Sequence, residues 1–174
     1  ILSHLACADE PAHFANVEQL RKFRIAHKSF PGLKTSLAAS SGIFLGPQYH
    51  CDMVRPGIAL YGGNPTPDQK NPMHPVARYM ARVMQVREVP AGETVGYGAS
   101  WMSDRTTLVA TIEAGYSEGL MRSLSGRGEA VAHGIRVPII GRVSMDLITL
   151  DVSKAPHTKP GDLVELLGTT LTVD

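Results

Sequence analysis

Between Gly62 and Pro75 the chain carries Pro65, Pro67, Pro72 and Pro75 among Gly62, Gly63, Asn64 and Asn71, and its hydrophobic rhythm differs on the two sides. Proline fixes φ and lacks a backbone donor, so neither a helix nor an inner strand runs through such a stretch. Before it, short apolar runs alternate with a helical pattern. Residues 1–6 read as a buried strand. Asp9 is placed to cap a helix with Pro11 in its first turn, and Phe14, Val17, Leu20 and Phe23 follow as its inner stripe. Pro31-Gly32 stops that helix. Leu33 to Ala38 reads as a second strand, and Ser40-Ser41-Gly42 opens a short helix. Met53-Val54 and Ile58-Ala59-Leu60 read as further strand pieces, split by Arg55-Pro56-Gly57. This is the rhythm of a parallel α/β unit.

After the proline-rich stretch the pattern is all strand. Residues 78–89, 108–112, 129–132, 135–140, 143–152 and 163–167 are the expected strands. Pro90-Ala91-Gly92 and His133-Gly134 are turns, and 170–174 reads as the middle of another strand. Several short strands between glycine turns form a small barrel or a sandwich. The expected layout is α/β structure over 1–68, a linker over 69–75, and a mostly antiparallel β-domain from 76 to 174. The start at Ile1 and the stop inside an expected strand suggest a piece of a longer protein, cut at both ends.

Composition narrows the function classes. Lys and Arg number 17 against 16 Asp and Glu, a net charge of +1, so there is no electrostatic case for a nucleic-acid partner. No apolar run reaches the ~20 residues that span a bilayer, and no basic region followed by an apolar one marks a signal peptide. Cys7 and Cys51 are the only cysteines. They form no disulfide framework, which favours a reducing, cytoplasmic setting. His50-Cys51-Asp52 holds metal-ligand types, but neighbours on a strand face opposite ways and cannot close on one ion, so no metal site is expected.

Three features could carry chemistry. His4 stands on an apolar strand. Arg55 stands beside a buried one and needs a partner, because an unpaired charge in a core is costly. Asp52 is the plain candidate; an anion or a ring nitrogen is the functional one. Near it, Gly57, Ile58 and the Ser40-Ser41-Gly42 turn could offer backbone N–H groups to a phosphate. Tyr97 lies between Gly96 and Gly98, which free the backbone to push the phenol outward. Taken singly, each feature reads as structural.

Their order reads differently. His4-Leu5-Ala6-Cys7-Ala8-Asp9 is followed by Ser41-Gly42-Ile43-Phe44-Leu45-Gly46. Then come Val54-Arg55-Pro56-Gly57-Ile58-Ala59-Leu60-Tyr61-Gly62 and Val95-Gly96-Tyr97-Gly98-Ala99. Gly115-Tyr116-Ser117-Glu118-Gly119 and Gly141-Arg142-Val143-Ser144-Met145-Asp146 complete the series. From end to end the chain resembles alanine racemase. The resemblance implies the C-terminal part of a TIM-type β/α barrel followed by the β-domain. It also implies pyridoxal phosphate as cofactor, alanine as substrate, and a homodimer whose active sites use both chains.

What the resemblance implies for single residues is specific. Arg55 faces the pyridine nitrogen of the cofactor. Being always protonated, it leaves that nitrogen bare and the ring a weaker electron sink, which restrains side reactions. His4 links Arg55 to the catalytic tyrosine. Ser40, Gly57 and Ile58 hold the phosphate. Tyr97 is the catalytic tyrosine, working at the partner subunit's site. Tyr116 and Met145 belong to the partner-supplied wall and the substrate-carboxylate region, with Asp146 beside them. Racemisation needs one base per face of Cα, and the family uses the cofactor lysine and this tyrosine. A free phenol titrates near ~10, so acting near neutrality has a cost that a cationic Arg55–His4 network would reduce.

Two departures stand out. The family has Asn-Ser where this chain has Ala39-Ser40, which removes one side-chain hydrogen bond near the phosphate. None of Lys22, Lys28, Lys34, Lys70, Lys154 and Lys159 sits in the cofactor-lysine motif, so the chain alone is expected neither to hold pyridoxal phosphate tightly nor to turn over. The product in the parent enzyme would be D-alanine for peptidoglycan. Three rivals exist: a decarboxylase of the same architecture, which would place a carboxylate where Arg55 stands; an inert β-domain used for assembly; and a racemase of broader amino-acid specificity.

Overall fold

The computed structural model describes residues Ile1–Asp174. They divide into two compact units, Ile1–Ala77 with Val173–Asp174, and Arg78–Thr172.

In the first unit, three short extended segments lie side by side in parallel. Leu2 bridges Ser36, and Ala39 bridges Arg55. Ser3 N–H donates to Ser36 O at 3.0 Å and Arg55 N–H to Ala38 O at 2.9 Å. Between the first and second segments runs α1, Phe14–His27. It starts later than the Asp9 and Pro11 signals suggest, with His13 Nδ1 accepting from Ala15 N–H as its cap. Asn16, buried in the core, donates through Nδ2 to Glu10 O at 2.9 Å and holds the preceding residues in turns.

The expected inner stripe is also half wrong. Leu20 and Phe23 are buried, but Phe14 is 79% and Val17 66% exposed. A spacing of three drifts by about 60° per step on a helix of 3.6 residues per turn, so Phe14 ends up opposite Phe23. The face that packs is Asn16, Leu20 and Phe23, at i, i+4 and i+7. Leu20 and Phe23 join Leu5, Leu37, Ala38 and Tyr49 in one cluster.

Ser40–Phe44 forms α2, as its serine-glycine start suggests. Ile58 to Leu60 does not form a strand. Ile58–Tyr61 is a 3-10 turn closed by Gly62 at φ 88°. Short apolar runs do not distinguish the two states, and here the Ser40 hydroxyl decides by accepting from Gly57 N–H at 2.8 Å and Ala59 N–H at 3.4 Å. The proline-rich loop is pinned by its own amides: Asn71 Nδ2 donates to Gly62 O at 2.9 Å and to the Asp174 carboxylate at 3.1 Å.

The second unit is a closed antiparallel barrel. Its strands are β1 (Tyr79–Val89), β4 (Thr107–Ile112), β5 (Glu129–Ala132), β6 (Ile135–Ile140), β7 (Ile148–Asp151) and β8 (Leu163–Leu167), with a separate hairpin of β2 (Thr94–Val95) and β3 (Trp101–Met102). The order around the barrel is β1-β4-β7-β6-β5-β8. β1 closes it by serving two neighbours, β8 through Tyr79–Arg82 and β4 through Val83–Val89, with a register shift between Val83 and Gln85. Such an irregularity bends a strand so that a small sheet can close. His133 (φ 50°) and Gly134 (φ 79°) supply the left-handed pair of the tight β5–β6 turn. Ile112, Val137, Leu150 and Val164 are among the side chains that fill the interior.

The first half of the expected strand 143–152 and the expected strand at 170–174 are loops, while Ile148–Asp151 is strand as expected. Residues 143–147 turn back on themselves, because Ser144 N–H and Oγ both donate to Leu147 O. Residues 170–174 leave the ladder because the Glu165 carboxylate takes the N–H groups of Thr170 (3.0 Å) and Leu171 (3.4 Å).

Candidate active site

In the first unit the extended segments bring Arg55, His4 and Ser40 to one place. Arg55 donates to Ser36 Oγ at 2.6 Å and to Ser3 O at 2.8 Å, and stands 3.4 Å from His4 Nδ1. Arginine is only a donor, so Nδ1 is the acceptor in this contact. Asp52 is not the partner of Arg55. Its carboxylate accepts from Thr35 Oγ at 2.6 Å and Thr35 N–H at 2.7 Å, and those bonds hold it below the ordinary carboxylate range. Every hydrogen bond of the Arg55 side chain therefore ends on a neutral group, and no carboxylate forms a salt bridge with it. A fixed cation held by neutral oxygens invites an acceptor from outside.

Beside it lies a cleft of ≈ 400 Å³ lined by His4, Ser40, Ser41, Gly42 and Ile58 among others. The Gly57 N–H is not bare, since Ser40 Oγ accepts it. The Ser40 hydroxyl proton has no acceptor within the chain, and the Ile58 N–H has none either. Of the expected residues, His4, Ser40 and Ile58 line this cleft, while Arg55 and Gly57 adjoin it through His4 and Ser40, with the donors distributed differently from expectation.

The second unit gathers the remaining residues. Tyr97 sits in a 3-10 turn, Tyr97–Ala99, between Gly96 (φ 84°) and Gly98 (φ 71°), and is 71% exposed. It lines a cleft of ≈ 440 Å³ with Arg142, Ser144 and Thr149. Arg142 was legible only as part of a motif. Its guanidinium lies against Gly98, where an added Cβ would come 3.4 Å from Cζ, and it makes no ion pair. Tyr116 and Met145 are stitched into one surface: Tyr116 N–H donates to Ser144 O and Ser117 N–H to Met145 O, each at 3.0 Å. The Arg122 guanidinium lies 5.7 Å from the Tyr116 ring centroid, within cation–π range. Glu118 accepts from Gly115 N–H at 2.8 Å and from Ser117 Oγ at 2.6 Å. The Ser117 bond first, and then the backbone bonds, keep its carboxyl below the usual range. Asp146 meets Ser117 Oγ at 3.0 Å. No group of three or more His, Cys, Asp or Glu side chains converges as a metal site would require.

A piece of parallel α/β structure presenting the His4–Ser40 cleft with the Arg55 guanidinium beside His4, joined in sequence to a closed antiparallel barrel presenting an exposed tyrosine, defines a two-domain α/β-plus-β-barrel protein. Residues 76–174 match the family model for the alanine racemase C-terminal domain, and residues 1–65 match that for its N-terminal domain. The chain belongs to the alanine racemase family. It is 48% identical over 176 residues to alanine racemase of Rhodospirillum rubrum, covering all of this chain and 47% of that protein. It is 51% identical to a catabolic alanine racemase of Agrobacterium fabrum, covering all of this chain and 45% of that one. Among solved structures, alanine racemase from Bartonella henselae with covalently bound pyridoxal phosphate aligns over 99% of this chain and 48% of its own, at TM-score 0.87 and 42% identity. The chain thus spans about half the length of the relatives it matches and corresponds to their C-terminal part. No helix is long and apolar enough to cross a membrane.

Proposed function

We propose that the protein containing this chain interconverts L- and D-alanine with pyridoxal phosphate, as a homodimer in which the partner subunit's Tyr97 serves each site. The observation that carries the reading is the Arg55 guanidinium, bonded only to neutral groups beside the His4–Ser40 cleft. Residues 1–68 are read as part of the cofactor-binding barrel, 69–75 as a linker, and 76–174 as the β-domain.

The donor set fits pyridoxal phosphate. Arg55 suits a bare ring nitrogen, since it donates and never accepts. The free Ser40 hydroxyl proton and Ile58 N–H suit a phosphate, with Gly57 fixing their geometry through its bond to Ser40 Oγ. When bound, the cofactor supplies an electron sink that eases loss of the Cα proton. Arg55 limits the strength of that sink, which favours returning the proton over other outcomes. His4, held by its Nδ1 contact with Arg55, lines the cleft where the cofactor would lie. Tyr97 takes or returns a proton on one face of Cα, and Tyr116 and Met145 wall the site and receive the substrate carboxylate. The cleft lining holds no lysine. The covalent anchor and second base are assigned to the part of the relatives that this chain does not span.

We read the product as D-alanine for peptidoglycan, made in the cytoplasm, where the free thiols of Cys7 and Cys51 persist. The test is to incubate the cofactor-loaded protein with either enantiomer of alanine and resolve the products on a chiral column. Convergence of both samples on an equal mixture supports the reading. Release of carbon dioxide without enantiomer exchange would favour the decarboxylase, and turnover of serine at a similar rate would favour a broader racemase.

A further inference from the structure

We propose that Ser36 is a positioning residue for Arg55: its buried hydroxyl, locked in one direction, fixes the aim of the guanidinium; the proposal rests on the alanine racemase reading above. Ser36 lies in the middle one of the three parallel extended segments. Its N–H donates to Ile1 O and its carbonyl accepts from Ser3 N–H, each at 3.0 Å. The backbone is thus tied to the segment that carries His4, and the side chain is tied to the segment that carries Arg55. Ser36 Oγ stands 2.7 Å from Met53 O and 2.6 Å from Arg55 Nη1, and the residue is 2% exposed. A carbonyl only accepts and a guanidinium only donates. The single hydroxyl proton therefore goes to Met53 O, and a lone pair of the same oxygen receives Nη1–H. Donation to Met53 O polarises the hydroxyl and makes its oxygen a better acceptor.

The other contacts of the guanidinium all fall on its second nitrogen. Nη2 meets Ser3 O at 2.8 Å, His4 Nδ1 at 3.4 Å and Leu37 O at 3.5 Å. Ser36 alone holds Nη1. A planar fork anchored at one nitrogen pivots about it; anchoring the second fixes both its plane and its direction. Among the groups that Arg55 bonds to, only Ser36 and His4 are side chains, and Ser36 is the buried one. No substitution removes the Ser3 or Leu37 carbonyl, so Ser36 is where the aim of Arg55 is open to change while Arg55 itself is kept. The hydroxyl is also neutral. A carboxylate in its place would compensate the positive charge that disfavours protonation of a nearby ring nitrogen. Serine holds the guanidinium and leaves that charge in force.

The test uses the holoenzyme containing this chain and two readouts. One is the partition of L-alanine between D-alanine and pyruvate, which forms when the amino group stays behind on the cofactor as pyridoxamine phosphate. The other is the dissociation constant of pyridoxal phosphate, from titration of the apoenzyme followed by visible absorbance. Ser36→Ala should raise pyruvate per D-alanine about fivefold and weaken cofactor binding roughly three- to tenfold, the effect of one hydrogen bond, while Ser36→Thr, which keeps the hydroxyl, should stay within about twofold of the unsubstituted enzyme in both. A folded Ser36→Ala enzyme with unchanged partition overturns the proposal whatever its thermal stability, because a merely structural serine would change stability alone. A folded Ser36→Thr enzyme that partitions like Ser36→Ala overturns it as well. If Ser36→Ala does not fold, Ser36→Cys, close in volume but with a weakly accepting sulfur, is read in the same way. Should the unsubstituted holoenzyme fail to racemise alanine, the reading of function falls separately. The dissociation constant then decides for Ser36: weaker binding in the variant upholds the proposal, and equal binding overturns it.

Discussion

Arg55 Nη2 stands 3.4 Å from His4 Nδ1 while its sister nitrogen donates to Ser36 Oγ at 2.6 Å, so one guanidinium ties together three extended segments that are otherwise joined by isolated bridges. A lysine ammonium cannot span those partners, because it is a point charge rather than a planar fork. Arg55→Lys should lower the stability of the chain by about 1–3 kcal/mol, the range for hydrogen bonds to a charged group, measured by urea unfolding. In the loaded enzyme Arg55→Glu should increase transamination relative to racemisation, measured as pyruvate formed per D-alanine.

Asp52 predicts an acid-sensitive first unit. Its folded-state carboxyl is depressed, chiefly by Thr35 Oγ and then by Thr35 N–H. The stability it contributes is therefore fully present above the unfolded value of ~3.9 and is lost as pH falls through the lower folded value. Asp52→Asn should lower the urea midpoint at pH 7 and flatten its fall below about pH 4. Equal slopes for the two proteins would contradict this.

The barrel interior predicts a cavity cost. Leu150 on β7 is fully buried. Leu150→Ala should destabilise the chain by about 2–5 kcal/mol in thermal or urea unfolding, the span seen for such truncations in cores.

Much of this was legible in the sequence because local chemistry carried it. His133-Gly134 announced its turn through left-handed backbone preference, and the strands flanking it followed. Other parts turned on tertiary partners. A spacing of three suggested Phe14 and Val17 as core, and only packing shows that Asn16 takes the face they were given. Ile58 to Leu60 is apolar enough for a strand, but the Ser40 hydroxyl, far away in sequence, folds it into a turn. Arg55, His4 and Ser40 were found through motif order; that His4 and Ser40 line one cleft, with Arg55 against His4, follows from three-dimensional placement. Arg142 gave no separate signal because its significance lies in facing Gly98 across a loop.

The chain by itself predicts weak cofactor binding, because the cleft lining offers donors and no lysine. Residues 1–174 mixed with pyridoxal phosphate and dialysed should retain none of its visible absorbance. Retention of one equivalent would contradict the assignment of the covalent anchor elsewhere.

The most direct measurement is deuterium uptake at Cα of each alanine enantiomer in D₂O, comparing the cofactor-loaded enzyme with its Tyr97→Phe variant. A phenol that serves one face predicts that uptake from one enantiomer falls by about 10²–10⁴-fold, the usual share of a general base, while uptake from the other is largely kept. Uptake from both enantiomers at the rates of the unsubstituted enzyme would contradict it.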